Sequence, residues 1–141
     1  MSIFYLKDDW KNNRNNPKGL FIVTLFRFAQ FFRRKPLVYI TFPYLIIYRV
    51  LVEWILGCEL PWGTKVGPGL TIYHGQSTII NDGAVIGANC TIRHCVTIGH
   101  KLTAQGCFQA PVIGDNVDIG AGALLIGFIV VGDNAVIGAG A

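Results

Sequence analysis

From Ile80 onward an aliphatic residue returns at every sixth position, and a glycine usually follows it. The register runs through Ile80, Ile86, Ile92 and Ile98 and, after a gap, through Ile113, Ile119, Leu125, Val131 and Ile137. Four residues after most of these comes a second inward residue, usually small: Ala84, Cys90, Val96, Val117, Ala123, Ala135 and Ala141. A period of six matches neither the 3.6 of a helix nor a long two-residue alternation. It matches short strands joined by tight corners and stacked as a β-helix of six-residue repeats. Val66, Leu70 and Ile72 already fit the pattern, but Ile80 follows Ile72 by eight residues, so two extra residues enter between Tyr73 and Ile79, beside His74. Between Ile98 and Ile113 lie fifteen positions where two hexads need twelve. That excess is expected to leave the coil as a loop centred on His100–Pro111, because a buried loop would strand backbone polar groups.

Residues 1–57 follow a different rule. A polar, Asn-rich stretch, Lys11–Asn16, closes at Pro17. Gly19–Arg34 then carries Phe21, Leu25, Phe28, Phe31 and Phe32 at near-helical spacing. Arg33, Arg34 and Lys35 suit the C-terminal partial charge of that helix, and Pro36 ends it. Leu37–Gly57 reads as a second helix, with Pro43 kinking it or marking its first turn. It is long and apolar enough to raise a transmembrane reading, but Arg49, Glu53 and Pro43 interrupt it, and Arg49 and Glu53 are spaced to pair on one face. The favoured expectation is packing against the coil or sister subunits. Peripheral attachment to a bilayer through residues 19–57 is the second option, and a true span the third. The chain therefore divides into an α-helical region, 1–57, and a mainly β domain, 58–141.

Composition narrows the class. Of 141 residues, 52% are apolar and only 14% charged, which supplies a core and argues against disorder. The net charge of +4 is uneven: residues 1–36 hold eight Lys/Arg against Asp8 and Asp9, while the remainder holds four basic and six acidic residues. No basic strip interleaved with aromatics and no helix-turn-helix pattern supports nucleic acid as a partner. Cys58, Cys90, Cys95 and Cys107 form no CxxC pair, and the N-terminus reads without a signal peptide, so structural disulfides are not expected and the cytoplasm is the default location.

Three hexads make one turn, so residues eighteen apart are vertical neighbours. With the two inserted residues, His74 and His94 become neighbours across turns spaced about 4.8 Å. His100 falls on the next face at the root of the loop, so two or three histidines are expected to gather there. A neutral imidazole accepts a proton from an attacking hydroxyl, which suits His74 as a general base, and Glu59, fifteen residues earlier, is placed to orient it. The plain alternatives are a solvated ring and a surface carboxylate at the helix–coil junction. Zinc is not expected, since the three rings lack carboxylates to support each of them. Phe128 and Val130 flank an inward Ile129 and should point outwards, against a neighbouring subunit.

These residues carry a resemblance. Glu59–Ala141 resembles the serine acetyltransferase family of left-handed β-helix acyltransferases, and within it the branch of the colanic acid biosynthesis acetyltransferases. The likeness rests on ELPWGTKVGPGLTIYHG (Glu59–Gly75), TIRHCVTIG (Thr91–Gly99) and VIGDNVDIGAGALLIG (Val112–Gly127), with the helical YRVLVEWILG (Tyr48–Gly57) before them. It implies a left-handed parallel β-helix, acetyl-CoA as acyl donor, His74 as general base with Glu59 completing a dyad, and Gly99, Ala121 and Ala139 lining the acetyl-CoA groove. Lys101 is either a contact for a phosphate of coenzyme A or a solvated lysine. The family works as homotrimers or dimers of trimers, with active sites between adjoining coils.

The departures point to the acceptor. Tyr73 stands where serine acetyltransferases have an aspartate for the amino acid, and Gln109 and Ala110 precede Pro111 where the family has Arg-His. Loss of a carboxylate and a guanidinium removes partners for the charges of serine. Tyr73, His94 and Gln109 are thus expected to meet a neutral acceptor, such as a sugar or glycan-precursor hydroxyl. Relatives also have a longer helical domain, and continue past the position of Ala141 with a further coil and a tail over coenzyme A. The alternatives are L-serine as acceptor, and a non-catalytic trimeric scaffold or truncated relic.

Overall fold

Three flat faces, each a four-stranded parallel sheet, wind into a coil of four turns in a computed structural model that describes residues 2–33, 38–103 and 106–141. The first face stacks Cys58–Glu59, Thr78–Ile80, Thr97–Gly99 and Leu124–Ile126. The second stacks Lys65–Val66, Val85–Ile86, Val112–Ile113 and Val130–Val131, and the third Thr71–Ile72, Thr91–Ile92, Asp118–Ile119 and Val136–Ile137. The six-residue register explains this shape. Like residues stack in columns, such as Ile72, Ile92 and Ile119 or Val66, Ile86 and Ile113, and all six are buried. Ala84, Cys90, Val96, Val117 and Ala123 are buried in the same narrow prism. Backbone amides donate to the next turn, as in Gly67 N–H to Ile86 O and Gly87 N–H to Ile113 O, both 2.9 Å. Turns pack so closely at the corners that a Cβ on Gly87 would lie 2.4 Å from Gly114 O, so only glycine fits. Between faces, Asn89, Asn116 and Asn134 turn the chain with φ of 54 to 61°, a region that asparagine tolerates better than most residues.

The two-residue insertion lies where expected, since Ile72 pairs with Ile92 and Ile80 with Ile98. The loop does not. Val112 pairs with Val85 and Ile113 with Ile86, so Ile98 and Ile113 sit on consecutive faces, one hexad apart. Nine inserted residues, the fifteen positions less six, therefore leave at a single corner, where the register had suggested three over two hexads. Within the loop, Lys101–Leu102 pairs antiparallel with Phe108–Gln109.

The helical region begins earlier than its pattern suggests. A 3-10 turn, Ser2–Tyr5, leads into α1 (Leu6–Asn12), followed by α2 (Pro17–Phe32), α3 (Val38–Tyr48) and a π-helical continuation, Arg49–Ile55. Asn16 caps α2 by accepting from Gly19 N–H at 3.1 Å, and Pro17 fills the first turn, which needs no donor. The expected helix end at Arg34–Lys35, Pro36 and Leu37 lies outside the described residues. Pro43 is inside α3, and Arg49 Nε pairs with Glu53 Oε2 at 3.0 Å, as the four-residue spacing implied. Among the described residues, no helix is long and apolar enough to cross a membrane.

A coil of this kind has a bare edge where its first turn begins, with unpaired backbone groups. The helices close that edge with side chains. Asn12, Asn13 and Asn16 donate to the carbonyls of Gly69, Leu70 and Ile72 at 2.7–2.8 Å. Gln30 donates to Thr64 O at 2.9 Å, and the Tyr48 hydroxyl to Leu60 O at 2.6 Å. Arg27 reaches Val66 O and Gly67 O, while Asp9 Oδ1 accepts from the amides of Gly69 and Leu70 at 2.8 and 3.0 Å. Arg27 and Asp9, both fully buried, pair with each other at 2.7 Å. Removing one partner leaves a buried charge without compensation. Arg27→Met is expected to cost about 3–5 kcal/mol in urea unfolding, whereas Lys7→Met, at an exposed site, should stay within about 0.5 kcal/mol.

Candidate active site

The inserted pair of residues widens the corner between the third and first faces. His74 and Gly75 there are both left-handed, with φ of 68 and 67°. Glycine at 75 answers two constraints, since a Cβ would also lie 3.1 Å from Ile72 Cγ2 and 3.2 Å from Ile22 Cδ1 of α2. The widened turn is held to the one beneath it by Cys95 N–H to Gln76 O and Thr78 Oγ1 to Arg93 O, each 2.9 Å. His74 is thereby raised on a supported bulge and left exposed.

His94 lies in the next turn of the same corner, its ring centroid 5.7 Å from that of His74 and nearly perpendicular to it, as the register implied. Below His94 the corner carries only small residues: Gly120–Ala121–Gly122 and then Gly138–Ala139–Gly140. Gly122 N–H donates to His94 O at 3.1 Å and Gly140 N–H to Ala121 O at 2.8 Å, so the column His74, His94, Ala121, Ala139 is continuous. An imidazole pair stands above a shallow track with no large side chain to block an extended ligand.

Glu59 lies on the first face beside Ile79, one turn above it, with its side chain exposed. Cys58 comes close to the His74 turn, 3.8 Å from a Cβ placed on Gly75, yet no hydrogen bond among the described residues joins Glu59 to His74. Glu59 instead opens onto a cleft of about 430 Å³ with Arg49, Asn81, Gly99 and His100. His100 does not join the other two rings within one protomer. The strand Thr97–Gly99 separates it from His94, because the loop departs from the far end of the first face. There Asn81 Nδ2 lies 2.8 Å from His100 Nδ1, and the Phe108 ring meets the imidazole edge-on at 4.8 Å. Gly99 and Gln109 lie at this second corner as well, away from Ala121, Ala139 and His74 of the same chain. Lys101 is exposed and backs onto Gly127.

Tyr73, 40% exposed, projects beside His74. The turn beneath places Arg93 under it, and the Arg93 guanidinium is paired with Asp118. Arg93 was not singled out by the sequence pattern. Its signal is the twenty-residue offset from Tyr73, the same offset that links His74 with His94. Phe128 and Val130 point outwards, 65 and 66% exposed, as expected. Among the described residues, no group of three or more His, Cys, Asp or Glu side chains converges as a metal site would.

A model of the hexapeptide repeat of succinyl-transferase matches residues 77–103 and 112–141. The putative colanic acid biosynthesis acetyltransferase WcaB of Escherichia coli is 36% identical over 85 residues, which is 60% of this chain and 51% of that protein. The serine acetyltransferase of Helicobacter pylori is 42% identical over 81 residues, 57% of this chain and 47% of that one. The chain thus spans about half the length of the curated relatives it matches. Soybean serine acetyltransferase superposes with a TM-score of 0.80 at 27% identity, covering 96% of this chain and 58% of that one.

Directly before Glu59, burial pushes the Cys58 thiol up to about 12, and burial also raises that of Cys90, while Cys95 and Cys107 are exposed. A raised thiol pKa stabilises the fold fully below the ordinary thiol range and loses that contribution as pH climbs toward the folded value. Between about pH 9 and pH 12 Cys58 alone should remove about 1.4 kcal/mol per pH unit from the unfolding free energy. Unfolding of the wild type and of Cys58→Ala, compared across that range, is expected to show a shallower alkaline decline in the variant. In the native protein Cys58 and Cys90 should resist alkylation until it unfolds.

Proposed function

We propose that this chain, which folds as a parallel β-helix similar to serine acetyltransferase structures and matches a hexapeptide-repeat model over residues 77–103 and 112–141, is an acetyl-CoA-dependent O-acetyltransferase acting on a sugar or glycan-precursor hydroxyl. The observation that carries the reading is the His74–His94 pair standing directly above the Ala121–Ala139 track. It supplies a base and a place for an acyl donor on one corner, in a chain similar to acetyltransferases.

In the proposed reaction His74 accepts the proton of the acceptor hydroxyl as its oxygen attacks the thioester carbonyl carbon. The carbon–sulfur bond then breaks, and the proton held on the imidazole passes to the departing thiolate. No acyl-enzyme forms. Glu59, one turn above, orients the ring and stabilises the imidazolium once its side chain turns from the first-face cleft to the corner. A backbone N–H near Gly99 steadies the oxyanion, the kind of term that is usually the largest in acyl transfer. Gly99 and Gln109 belong to the opposite corner of the same chain, so the complete site needs a second protomer whose loop reaches the His74 corner. A homotrimer, alone or as a dimer of trimers, meets that need, and the exposed apolar Ile79, Leu124 and Ile126 on the first face suit the contact.

Tyr73 next to the base favours a neutral acceptor, since an aromatic ring packs on a sugar face and offers nothing to an ammonium group comparable to a carboxylate. The likeness to serine acetyltransferases favours L-serine as the second reading. Acetyl-CoA consumption by the purified protein, with sugar nucleotides or lipid-linked sugars competed against L-serine, separates the two. His74→Ala is expected to lower turnover by about 10²–10⁴-fold with unchanged circular dichroism. Turnover close to wild type in that variant would sink the assignment of the base.

A further inference from the structure

His100 stands at the loop corner, across the strand Thr97–Gly99 from His94, and the position of its proton follows from its neighbours. Gly83 N–H donates to Asn81 Oδ1 at 3.0 Å, and a backbone amide can only donate. The Asn81 amide is thereby oriented, with its Nδ2 turned toward His100 Nδ1 at 2.8 Å. An amide nitrogen is a donor, so Nδ1 must accept, and a neutral His100 ring carries its proton on Nε2. Asn81 is itself anchored, its N–H donating to Ile98 O at 2.8 Å and its carbonyl accepting from Ala84 N–H at 3.1 Å. The Phe108 ring, nearly perpendicular to the imidazole at 4.8 Å, fixes the tilt of the ring. His100 is exposed, and its Nε2 has no hydrogen-bond partner among the described residues.

This oriented donor lines a cleft of about 340 Å³ with Asp82, Phe108 and Ala110. Asn81, Asp82 and His100 also border the neighbouring cleft that holds Glu59, so the two run together along the corner. Asp82 is exposed and forms no ion pair among the described residues, which leaves its oxygens as acceptors. A neutral donor, an open carboxylate and a phenyl ring that is 71% exposed suit one kind of ligand. Sugar hydroxyls both donate and accept, and the C–H face of a sugar ring packs on an aromatic side chain. An amino-acid zwitterion fits less well, since its carboxylate would meet that of Asp82 with no cation of the cleft between them.

We infer that His100, fixed by Asn81 as an Nε2–H donor, contacts a sugar hydroxyl, with Asp82 and Phe108 completing a sugar subsite at the loop corner. That the sugar is the acetyl acceptor rests on the acyl-transfer reading; its binding does not, and is tested without turnover. The histidine ring nitrogens of the full chain are observed by NMR at about pH 8, above the ordinary imidazole range. The chain has three histidines, so single variants assign each ring. His100 is expected to show an unprotonated Nδ1 and a protonated Nε2. Asn81→Asp should place a proton on Nδ1, because a carboxylate there accepts from it while still accepting from Gly83 N–H. Methyl glycosides of glucose, galactose and mannose are then added, and at least one should shift the His100 Nε2 signal, whereas L-serine should not. With affinity read from backbone amide shifts and folding from circular dichroism, His100→Leu should bind that glycoside about tenfold more weakly. His100→Gln, which keeps a donor, should lose less. A protonated Nδ1 in the wild type, no shift with any of the glycosides, a shift with L-serine alone, or equal binding by His100→Leu would overturn the proposal. Glycoside binding at His100 in a protein that acetylates no acceptor would sink the acyl-transfer reading and leave the subsite standing.

Discussion

The buried pair of Asp9 and Arg27 decides whether this coil has a beginning. Each turn of a β-helix satisfies its backbone against the turns above and below, but the first turn has a neighbour on one side only. Arg27 spans that gap by giving its remaining donors to Val66 O and Gly67 O, and Asp9 by accepting from Gly69 and Leu70. Desolvating two charges is costly, so the pair by itself is weak evidence of stability. Its value lies in the backbone groups it satisfies, which would otherwise be buried beneath α2 without partners. The three asparagines before α2 extend the same function along the third face, so helices and coil form one continuous hydrogen-bonded body.

The candidate site arises where the repeat fails. An uninterrupted hexad series presents aliphatic residues inward and short corners outward, and offers no room for a raised side chain. Two additional residues push His74 out at one corner and nine push a hairpin out at another. Both departures occur between intact ladders, so the strain stays local. Ile72 and Ile92 remain paired on one side of the His74 bulge, and Ile80 and Ile98 on the other. The bulge is also filled from beneath by Ile22 of α2, which occupies the space a side chain at Gly75 would take.

The coil, its inward columns and the His74–His94 pair were legible in the sequence because a strict period converts position into height and face. The loop was legible only in phase. Fifteen residues leave the same remainder whether the chain spends one hexad and nine extra residues or two hexads and three. Only the pairing of Val85 with Val112 settles the count, and with it the separation of His100 from the other histidines. The Asn-rich stretch is legible in the sequence only as polar. The partners of its asparagines lie more than fifty residues away, on carbonyls that no pattern reveals.

Position along the coil links the histidine corner with the helical region. His74 sits between the first and second turns, at the same end that the helices close, and its turn touches α2 directly through Ile22. Helix α3 is fixed to Leu60 by Tyr48. The Asp9–Arg27 clasp and the Tyr48–Leu60 bond therefore tie the helices to the same end of the coil that carries the histidine corner. A base at the far end of the same corner, at the height of Ala139, would lie three turns further from the helices, about 14 Å at the ladder spacing. The clasp that satisfies a bare sheet edge thus also sets the height of the candidate site above the helical end.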